Sequence, residues 1–120
     1  MKRKLIYVCS PYSGNIEYNT IIAKVLSRYV VDQGYIPITP HIYFTQFMND
    51  DIPEHRDLAF EMNFDLMDLC DQMWVFIDSQ QDISTGMQRE IDHANEIGIK
   101  IQYWNLSDAR KEFGFSNTNI

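Results

Sequence analysis

Four short apolar segments that alternate with helix-like segments constrain the fold of this chain more than any other feature. These segments are residues 5–9, 35–39, 73–77 and 99–104, and each is bounded on at least one side by Gly, Pro, Ser or Asp. The first of them, residues 5–9, is a continuous apolar run that ends at turn-forming residues, which is typical of a strand buried on both faces of a parallel sheet. The second run contains Pro37 and is followed by Pro40, so we expect that strand near an edge of the sheet.

The segments between these strands have the apolar period of α-helices, at residues 15–33, about 56–71, and 86–97. Strands that alternate with helices predict a three-layer α/β fold, in which helices flank a largely parallel sheet as in flavodoxin-like and Rossmann-like domains. A chain of 120 residues is long enough for a single domain of this kind. We predict that the domain covers residues 1–104 and that residues 105–120 form a polar C-terminal tail.

The chain is acidic, with ten Lys and Arg against seventeen Asp and Glu and a formal net charge of −7. An acidic chain does not condense on phosphate backbones or anionic lipids, so the composition argues against binding to polymeric nucleic acid or to a membrane surface. No apolar run reaches the roughly 20 residues that a membrane-spanning helix needs, and no signal peptide is recognisable. We therefore expect a cytoplasmic protein.

The cysteines and histidines give no sign of a metal site or of a cofactor. Cys9 and Cys70 lie in apolar segments without a C-x-x-C motif, which is typical of buried free thiols in a reducing compartment. His41, His55 and His93 do not have the spacing of metal ligands. The sequence also lacks the G-x-S-x-G motif of serine hydrolases. We expect neither a metal ion nor a cofactor.

Two polar segments, residues 10–14 and 78–86, each follow a strand of the predicted sheet. Ligands of such sheets bind outside the carboxyl ends of the strands, so both segments are expected on one rim. Residues 10–14 carry hydroxyl and backbone N–H groups just before a helix, which suits an anion or a sugar. They match neither the dinucleotide-binding nor the nucleoside-triphosphate-binding glycine motif. Residues 41–54 lack a clear period, and a loop this long in a compact domain is more often functional than idle.

Glu90 is the first candidate catalytic residue, because of its position on the helix of residues 86–97. At about 100° per residue, Glu90 lies roughly 60° from Met87, on the shoulder of the apolar stripe of that helix. A carboxylate there faces the crevice at the rim, in the first turn, where the helix dipole favours it. The alternative is a purely structural role, in which Glu90 complements the helix N-terminus and Thr85 and Gln88 form a capping box.

Asp65 is the second candidate, because it lies within an apolar stripe that Leu58, Met62 and Leu69 form along the helix of residues 56–71. A buried carboxylate is costly without a partner or a purpose. A second apolar stripe, on the opposite side of the helix, consists of Phe60, Phe64 and Met67. If that second stripe faces the core, Asp65 lies on the surface. The presence of two apolar stripes on one helix also suggests that one of them is a contact between subunits.

The combination of these segments resembles the nucleoside 2-deoxyribosyltransferase superfamily. The resemblance lies in the turn at residues 10–14, in residues 70–76, and in residues 84–90 with the following Ala94 and Gly98. It covers most of residues 4–104 and leaves the tail outside. The similarity is greatest to a small bacterial and phage branch whose relatives include the 2′-deoxynucleoside 5′-phosphate N-hydrolases.

The resemblance implies roles for individual residues. The family nucleophile is the glutamate that closes an [Asp/Ser]-x-Gly-x-x-x-Glu motif, which corresponds to Glu90, and a Ser at the first position, here Ser84, is typical of the phosphate-binding hydrolases. A family aspartate lies eight residues before the position of Asp71, where this chain has Asn63. Either Asp65, two residues later, takes the role of that carboxylate as general acid or sugar-orienting group, or the chain lacks it.

The expected function is therefore cleavage of the N-glycosidic bond of a nucleoside or nucleotide, or deoxyribosyl transfer, with Glu90 as nucleophile and Asp65 assisting. The expected substrate-binding residues are Ser10, Tyr12, Ser13, Gly14, Asp78, Ser84 and Gly86. The resemblance also implies a homo-oligomer. The alternative is a non-catalytic nucleotide-binding protein, a sensor or sequestering protein, which Asn63 at the family's aspartate position favours. A third possibility is an interaction module of a larger assembly.

Overall fold

A parallel β-sheet lies at the centre of the protein, which is described here over residues 2–11 and 15–112 of a computed structural model. Within these residues the sheet has four strands: β1 (Leu5–Cys9), β2 (Ile36–Ile38), β3 (Gln72–Ile77) and β4 (Lys100–Asn105). Their order is β2-β1-β3-β4, and all three pairings are parallel. The strand order changes direction between β1 and β3, because β2 lies on the outer side of β1 and β4 on the outer side of β3. In sheets of this kind, a ligand is expected in the crevice between the carboxyl ends of those two central strands.

The described helices are α1 (Ile16–Asp32), α2 (Pro40–Tyr43), α3 (Pro53–Asp68), α4 (Thr85–Ile97) and α5 (Leu106–Glu112), with short 3-10 turns at Phe44–Gln46 and Gln80–Asp82. Helices α1 and α5 cover one face of the sheet, and helices α3 and α4 cover the other. The three-layer α/β fold that the sequence predicts is thereby confirmed.

The two faces of the sheet explain why its central strands are apolar throughout. In β1, Ile6 and Val8 pack into the core beneath α1, whereas Tyr7 and Cys9 point to the opposite core beneath α3 and α4. Successive side chains of a strand alternate between faces, so a strand covered on both sides has no solvent-facing position to fill with a polar residue. Strand β2 is only partly covered and lies at the edge of the sheet, as Pro37 predicts.

The boundaries of some elements differ from those that the sequence predicts. Helix α3 begins at Pro53 rather than near Arg56, because proline fits the first turn of a helix. The aperiodic segment of residues 41–54 contains most of α2, which begins at Pro40 for the same reason, and the 3-10 turn at Phe44–Gln46. The predicted tail begins with α5, whose Ala109 is 2 % exposed and belongs to the core beneath α1. Residues 113–120 lie outside the described part of the chain.

Asp78 links the end of β3 to the start of α5. Its two carboxylate oxygens accept hydrogen bonds from the backbone N–H and the hydroxyl of Ser107, both at 2.9 Å. A carboxylate at the first turn of a helix satisfies a backbone donor that has no partner within the helix and complements the helix dipole. The geometry gives this side chain a structural contact that holds α5 on the sheet.

We predict that Asp78→Ala lowers the free energy of unfolding by about 1–2 kcal/mol, because Ser107 in the first turn of α5 loses its two hydrogen bonds to Asp78. Urea denaturation measures this change. The control is Asp57→Ala, on the exposed face of α3, which should change stability by less than about 0.5 kcal/mol. Equal effects of the two substitutions would contradict the structural role of Asp78.

Candidate active site

A cavity of about 650 Å³ lies beside the carboxyl ends of the central strands. Its walls come from the end of β1 at Ser10, from the segment of residues 40–56, and from the facing sides of α3 and α4. This volume is within the range of about 300–1,000 Å³ that is usual for small-molecule sites. The cavity therefore occupies the place that the parallel topology predicts for a ligand.

Glu90 lies at the inner wall of this cavity and is only 2 % exposed. Its Oε2 atom accepts a hydrogen bond from the Tyr7 hydroxyl at 2.5 Å and a longer one from Nδ2 of Asn63 at 3.5 Å. Its Oε1 atom accepts from the Cys9 thiol at 3.6 Å. Donors from β1 and α3 thus surround a carboxylate that α4 provides.

Burial dominates the electrostatics of this carboxylate. It raises the pKa of Glu90 to about 7, while the hydrogen bonds from Tyr7, Cys9 and Asn63, and the charge of Arg89, act in the opposite direction. Burial, together with the negative charge of Glu90, raises the pKa of Tyr7 and of Cys9 well above their ordinary values. Both neighbours therefore keep their protons at neutral pH and act as donors, while Glu90 changes its charge near neutrality.

The local sequence of α4 explains the direction in which Glu90 points. Ser84 is the N-cap, with its hydroxyl accepting a hydrogen bond from the backbone N–H of Met87 at 3.2 Å. The helix then turns Met87, Ile91 and Ala94 toward the sheet, with Glu90 buried beside them as the helical angle predicts. The predicted capping box of Thr85 and Gln88 is wrong by one residue, because the cap is Ser84.

Gly86 lies where α3 and α4 come close together. A Cβ atom at this position would lie 3.2 Å from the ring of Phe60, so a larger residue would press on that ring. Both Ser84 and Gly86 line the cavity, at the N-terminal end of α4. This end of the helix presents backbone N–H groups to a ligand.

Helix α3 contributes Asn63 to the cavity and turns Asp65 away from it. Asn63 is 6 % exposed, whereas Asp65 is exposed and lines a separate groove on the outer side of the helix. The expected approach of Asp65 to Glu90 is therefore not found. The reason is that the stripe with Phe60, Phe64 and Met67 faces the body of the protein, so the stripe that contains Asp65 faces outward.

The outward stripe of α3 is nevertheless apolar at several positions. Leu58 is 48 % exposed and Leu69 is 70 % exposed. An apolar face of this kind is what a contact between subunits needs. The oligomeric state itself stays a prediction.

The rim residues predicted to bind substrate have different positions. Ser10, at the end of β1, is 1 % exposed and lines the cavity. Tyr12, Ser13 and Gly14 lie outside the described residues. Asp78 does not line the cavity, and its carboxylate is engaged by Ser107 at the start of α5. Of the predicted binding residues that are described, the structure therefore brings Ser10, Ser84 and Gly86 to the cavity that contains Glu90.

Several residues at the site were not predicted from the sequence as parts of it. The sequence patterns assign no role to Tyr7, indicate only a buried thiol at Cys9, and indicate only a long loop at residues 41–54. That segment contributes His41, whose pKa is lowered by burial to about 4, so that its imidazole is neutral at pH 7. The length and irregularity of the segment were the available signal. No sequence pattern identified the individual side chains.

Two arginines line the cavity of this acidic chain, together with the carboxylates of Asp50 and Glu90. Arg89 lies over the ring of Phe60, with its guanidinium carbon 4.0 Å from the ring centre, and Arg56 donates to the backbone oxygen of Asp50 at 3.4 Å. Neither arginine forms an ion pair with a carboxylate in the described part of the chain. Two cations without a carboxylate partner suit an anionic group on a ligand.

Two further features concern metals and membranes. Among residues 2–11 and 15–112, no group of three or more His, Cys, Asp or Glu side chains is arranged to hold a metal ion. Within the same residues, no helix combines the length and the apolar character required to cross a bilayer.

Comparison with solved structures identifies the fold. A 2-deoxyribosyltransferase from the psychrotolerant bacterium Bacillus psychrosaccharolyticus, described as a biocatalyst for the synthesis of antiviral and antitumoral nucleosides, is similar with a TM-score of 0.65. The match covers 84 % of this chain and 72 % of that chain, at 17 % sequence identity. At this identity the likeness establishes a common fold, that of a deoxyribosyltransferase.

Comparison of the sequence itself gives the family. No protein with a curated description matches the chain significantly. Residues 4–104 match the family described as Domain of unknown function (DUF7768), and this region includes all four strands except the last residue of β4. Because the match covers most of the chain, the protein belongs to the DUF7768 family.

Proposed function

We propose that this protein cleaves the N-glycosidic bond of a nucleoside or nucleotide, with Glu90 as the nucleophile. The observation that carries the proposal is the Glu90 carboxylate, buried at the wall of a 650 Å³ cavity and bonded by three donors. Its pKa of about 7 leaves a substantial ionised fraction at neutral pH. The similarity in fold to a 2-deoxyribosyltransferase supports the same reaction class.

The chemistry needs one carboxylate on one face of the sugar. A Glu90 oxygen forms a bond to the anomeric carbon while the bond from that carbon to the base nitrogen breaks, and its electron pair leaves with the base. A nitrogen of a second base, or a water molecule, then attacks the same carbon, releases the carboxylate and loses a proton, which balances the proton that the departing base takes up. Attack by a base transfers the sugar, and attack by water hydrolyses the bond.

The hydrogen bonds distinguish the two oxygens of the carboxylate. Among the described residues, Oε2 accepts from both Tyr7 and Asn63, whereas Oε1 accepts only from the Cys9 thiol, which is a weak donor. The atom with the weaker hydrogen bond keeps more of its electron density for attack. We assign Oε1 as the nucleophilic atom, with Tyr7 holding the other oxygen and stabilising the ionised form.

The remaining walls of the cavity suit the rest of a nucleotide. Phe44 and Phe60 offer aromatic surface for a base. Arg56 and Arg89, with the N-terminus of α4 at Ser84, offer positive charge and donors for a phosphate. The proposal gives Asp65 no part in proton transfer, because its side chain is exposed outside the cavity.

A non-catalytic nucleotide-binding protein is the second candidate function. It is favoured by Asn63, which provides an amide where the family resemblance implies a carboxylate. An amide can position a ligand but cannot donate a proton to a departing base as an acid does. A binding protein would retain the cavity and its arginines without turnover.

We predict that Glu90→Gln lowers base release by at least about 10³-fold, because glutamine does not form the covalent intermediate. Purified protein is incubated with nucleosides, deoxynucleosides and their monophosphates, and chromatography measures the free base. Glu96→Gln, at an exposed position of the same helix, is the matched control and should keep full activity. Base release by Glu90→Gln at the wild-type rate would exclude the proposed nucleophile. Tight binding without turnover by the wild type would favour the binding protein.

We predict that Tyr7→Phe moves the acid limb of the pH profile of kcat/KM to higher pH by about one unit. The Tyr7 hydroxyl lowers the pKa of Glu90, so its removal leaves the carboxylate protonated over a wider range of pH. The acid limb is recorded from pH 5 to 9. Tyr43→Phe, which removes an exposed hydroxyl on α2, is the control. A shift in the opposite direction would show that Tyr7 does not stabilise the ionised form.

The raised pKa of Glu90 also predicts how stability depends on pH. The pKa rises from an ordinary value of 4.5 to about 7 in the folded protein, so folding favours the protonated form. This contribution is complete below about pH 4.5, falls as the pH rises from 4.5 to 7, and amounts to about 3 kcal/mol. The free energy of unfolding of Glu90→Gln should lack this decrease, which urea denaturation at several pH values measures. Parallel pH curves for the two proteins would contradict the raised pKa.

A further inference from the structure

Two buried polar atoms at the cavity have no hydrogen-bond partner within residues 2–11 and 15–112: Oγ of Ser10 and Oδ1 of Asn63. Ser10 is 1 % exposed and Asn63 is 6 % exposed, and both side chains line the cavity beside Glu90. Buried hydroxyl and amide oxygens in folded proteins are hydrogen-bonded with few exceptions. A ligand in the cavity is in a position to supply the missing partners.

The chemistry of the two atoms limits the ligand group. Oδ1 of Asn63 is a carbonyl oxygen and can only accept hydrogen bonds, and the Nδ2 atom of the same amide donates to Glu90. The Ser10 hydroxyl can both donate and accept. A single hydroxyl group that reaches both atoms satisfies both, since it donates its proton to Asn63 and accepts the proton of Ser10. A methylene group in the same place satisfies neither.

The position of Asn63 near Glu90 indicates that this hydroxyl group belongs to the sugar of the substrate. Its Nδ2 is 3.5 Å from Oε2 of Glu90, and Oδ1 belongs to the same small amide, so it lies near the carboxylate as well. The proposed reaction brings the carboxylate against the anomeric carbon of the sugar. That carbon has two ring neighbours, the ring oxygen and C2′, and of these only C2′ can carry a hydroxyl.

We propose, building on the proposed function, that Ser10 and Asn63 form a subsite for the 2′-hydroxyl, so that the substrate is a ribonucleoside or ribonucleotide. The transferred or hydrolysed group is then ribosyl rather than deoxyribosyl. A site whose buried polar groups bond a substrate hydroxyl discriminates against the analogue that lacks it, because those groups are left unpaired. Hydrogen bonds to the corresponding hydroxyl in glycoside hydrolysis also strengthen in the transition state.

The first test compares sugars that differ in one hydroxyl. Base release is measured with the ribose, 2′-deoxyribose and 3′-deoxyribose forms of adenosine and of uridine, each with and without a 5′-monophosphate. The kcat/KM of the ribose form should exceed that of the 2′-deoxyribose form by about 10- to 100-fold, and the 3′-deoxyribose form should resemble the ribose form. Equal rates with ribose and 2′-deoxyribose, or discrimination only at the 3′ position, would overturn the subsite and leave the proposed function in place.

The second test uses variants of Ser10. Ser10→Ala should reduce the ratio of ribose to 2′-deoxyribose kcat/KM by about tenfold, and Ser10→Thr, which keeps the hydroxyl, should restore most of it. A loss of stability without a change in this ratio would assign Ser10 a purely structural role and overturn the subsite. The ratio is compared at one temperature, well below the unfolding transition of each variant.

The third test separates the subsite from the reaction. Calorimetry measures the binding of the same nucleosides and monophosphates to Glu90→Gln, which does not turn them over. Tighter binding of the ribose forms, lost when Ser10→Ala is added, would support the subsite even if the wild type released no base and the proposed catalysis failed. Binding without preference for ribose, or no binding at all, would overturn the subsite.

Discussion

The Glu90 carboxylate is withdrawn from water at the carboxyl end of the sheet, and a charge in that position needs donors around it. This need connects three elements that are far apart in the chain. Tyr7 and Cys9 reach it from β1, Asn63 from α3, and the carboxylate itself is carried by α4. The alternation of side chains along β1 makes the arrangement possible, because Tyr7 and Cys9 share the face that α4 covers while Ile6 and Val8 fill the other core. Packing on both faces of the sheet thus fixes where the donors of the site can be.

The same burial that costs stability gives the carboxylate its chemical usefulness. A glutamate in water is almost fully ionised at pH 7 and strongly solvated, whereas Glu90 has a pKa of about 7 and a surrounding of few, fixed donors. Because Glu90 is only 2 % exposed, it has little contact with solvent to lose when a sugar approaches. The positive charges of Arg56 and Arg89 lie at the same cavity without carboxylate partners in the described chain, so a net charge of −7 does not prevent an anionic ligand from binding locally. The proposed ribose subsite follows the same logic, since Oγ of Ser10 and Oδ1 of Asn63 are buried without a hydrogen-bond partner in the described part of the chain, and a substrate hydroxyl would give them one.

Most of the fold could be predicted from the sequence, and only part of the site. The strand at residues 73–77, the helix that ends before Gly98 and the edge position of β2 all follow from local patterns of apolar residues, Gly and Pro. The inward direction of Glu90 also follows from local spacing, because Met87 and Ile91 on the same helix fix the buried side. The outward direction of Asp65 could not be predicted from local spacing. Helix α3 carries two apolar stripes, and the spacing of residues along a single helix does not say which stripe meets the sheet.

The sequence by itself therefore determined the period of most elements, the covered character of β1 and β3, the edge position of β2, and the face of α4 that carries Glu90. Only the tertiary structure decided that Asn63 rather than Asp65 faces the cavity, that Asp78 holds α5, and that Tyr7 bonds a carboxylate 83 positions away in the chain. The physical reason is the range of the interactions. Backbone geometry repeats every two residues in a strand and every 3.6 in a helix, so a short segment already displays it. Contacts between elements depend on how separate helices and strands pack against one another, which no single segment contains.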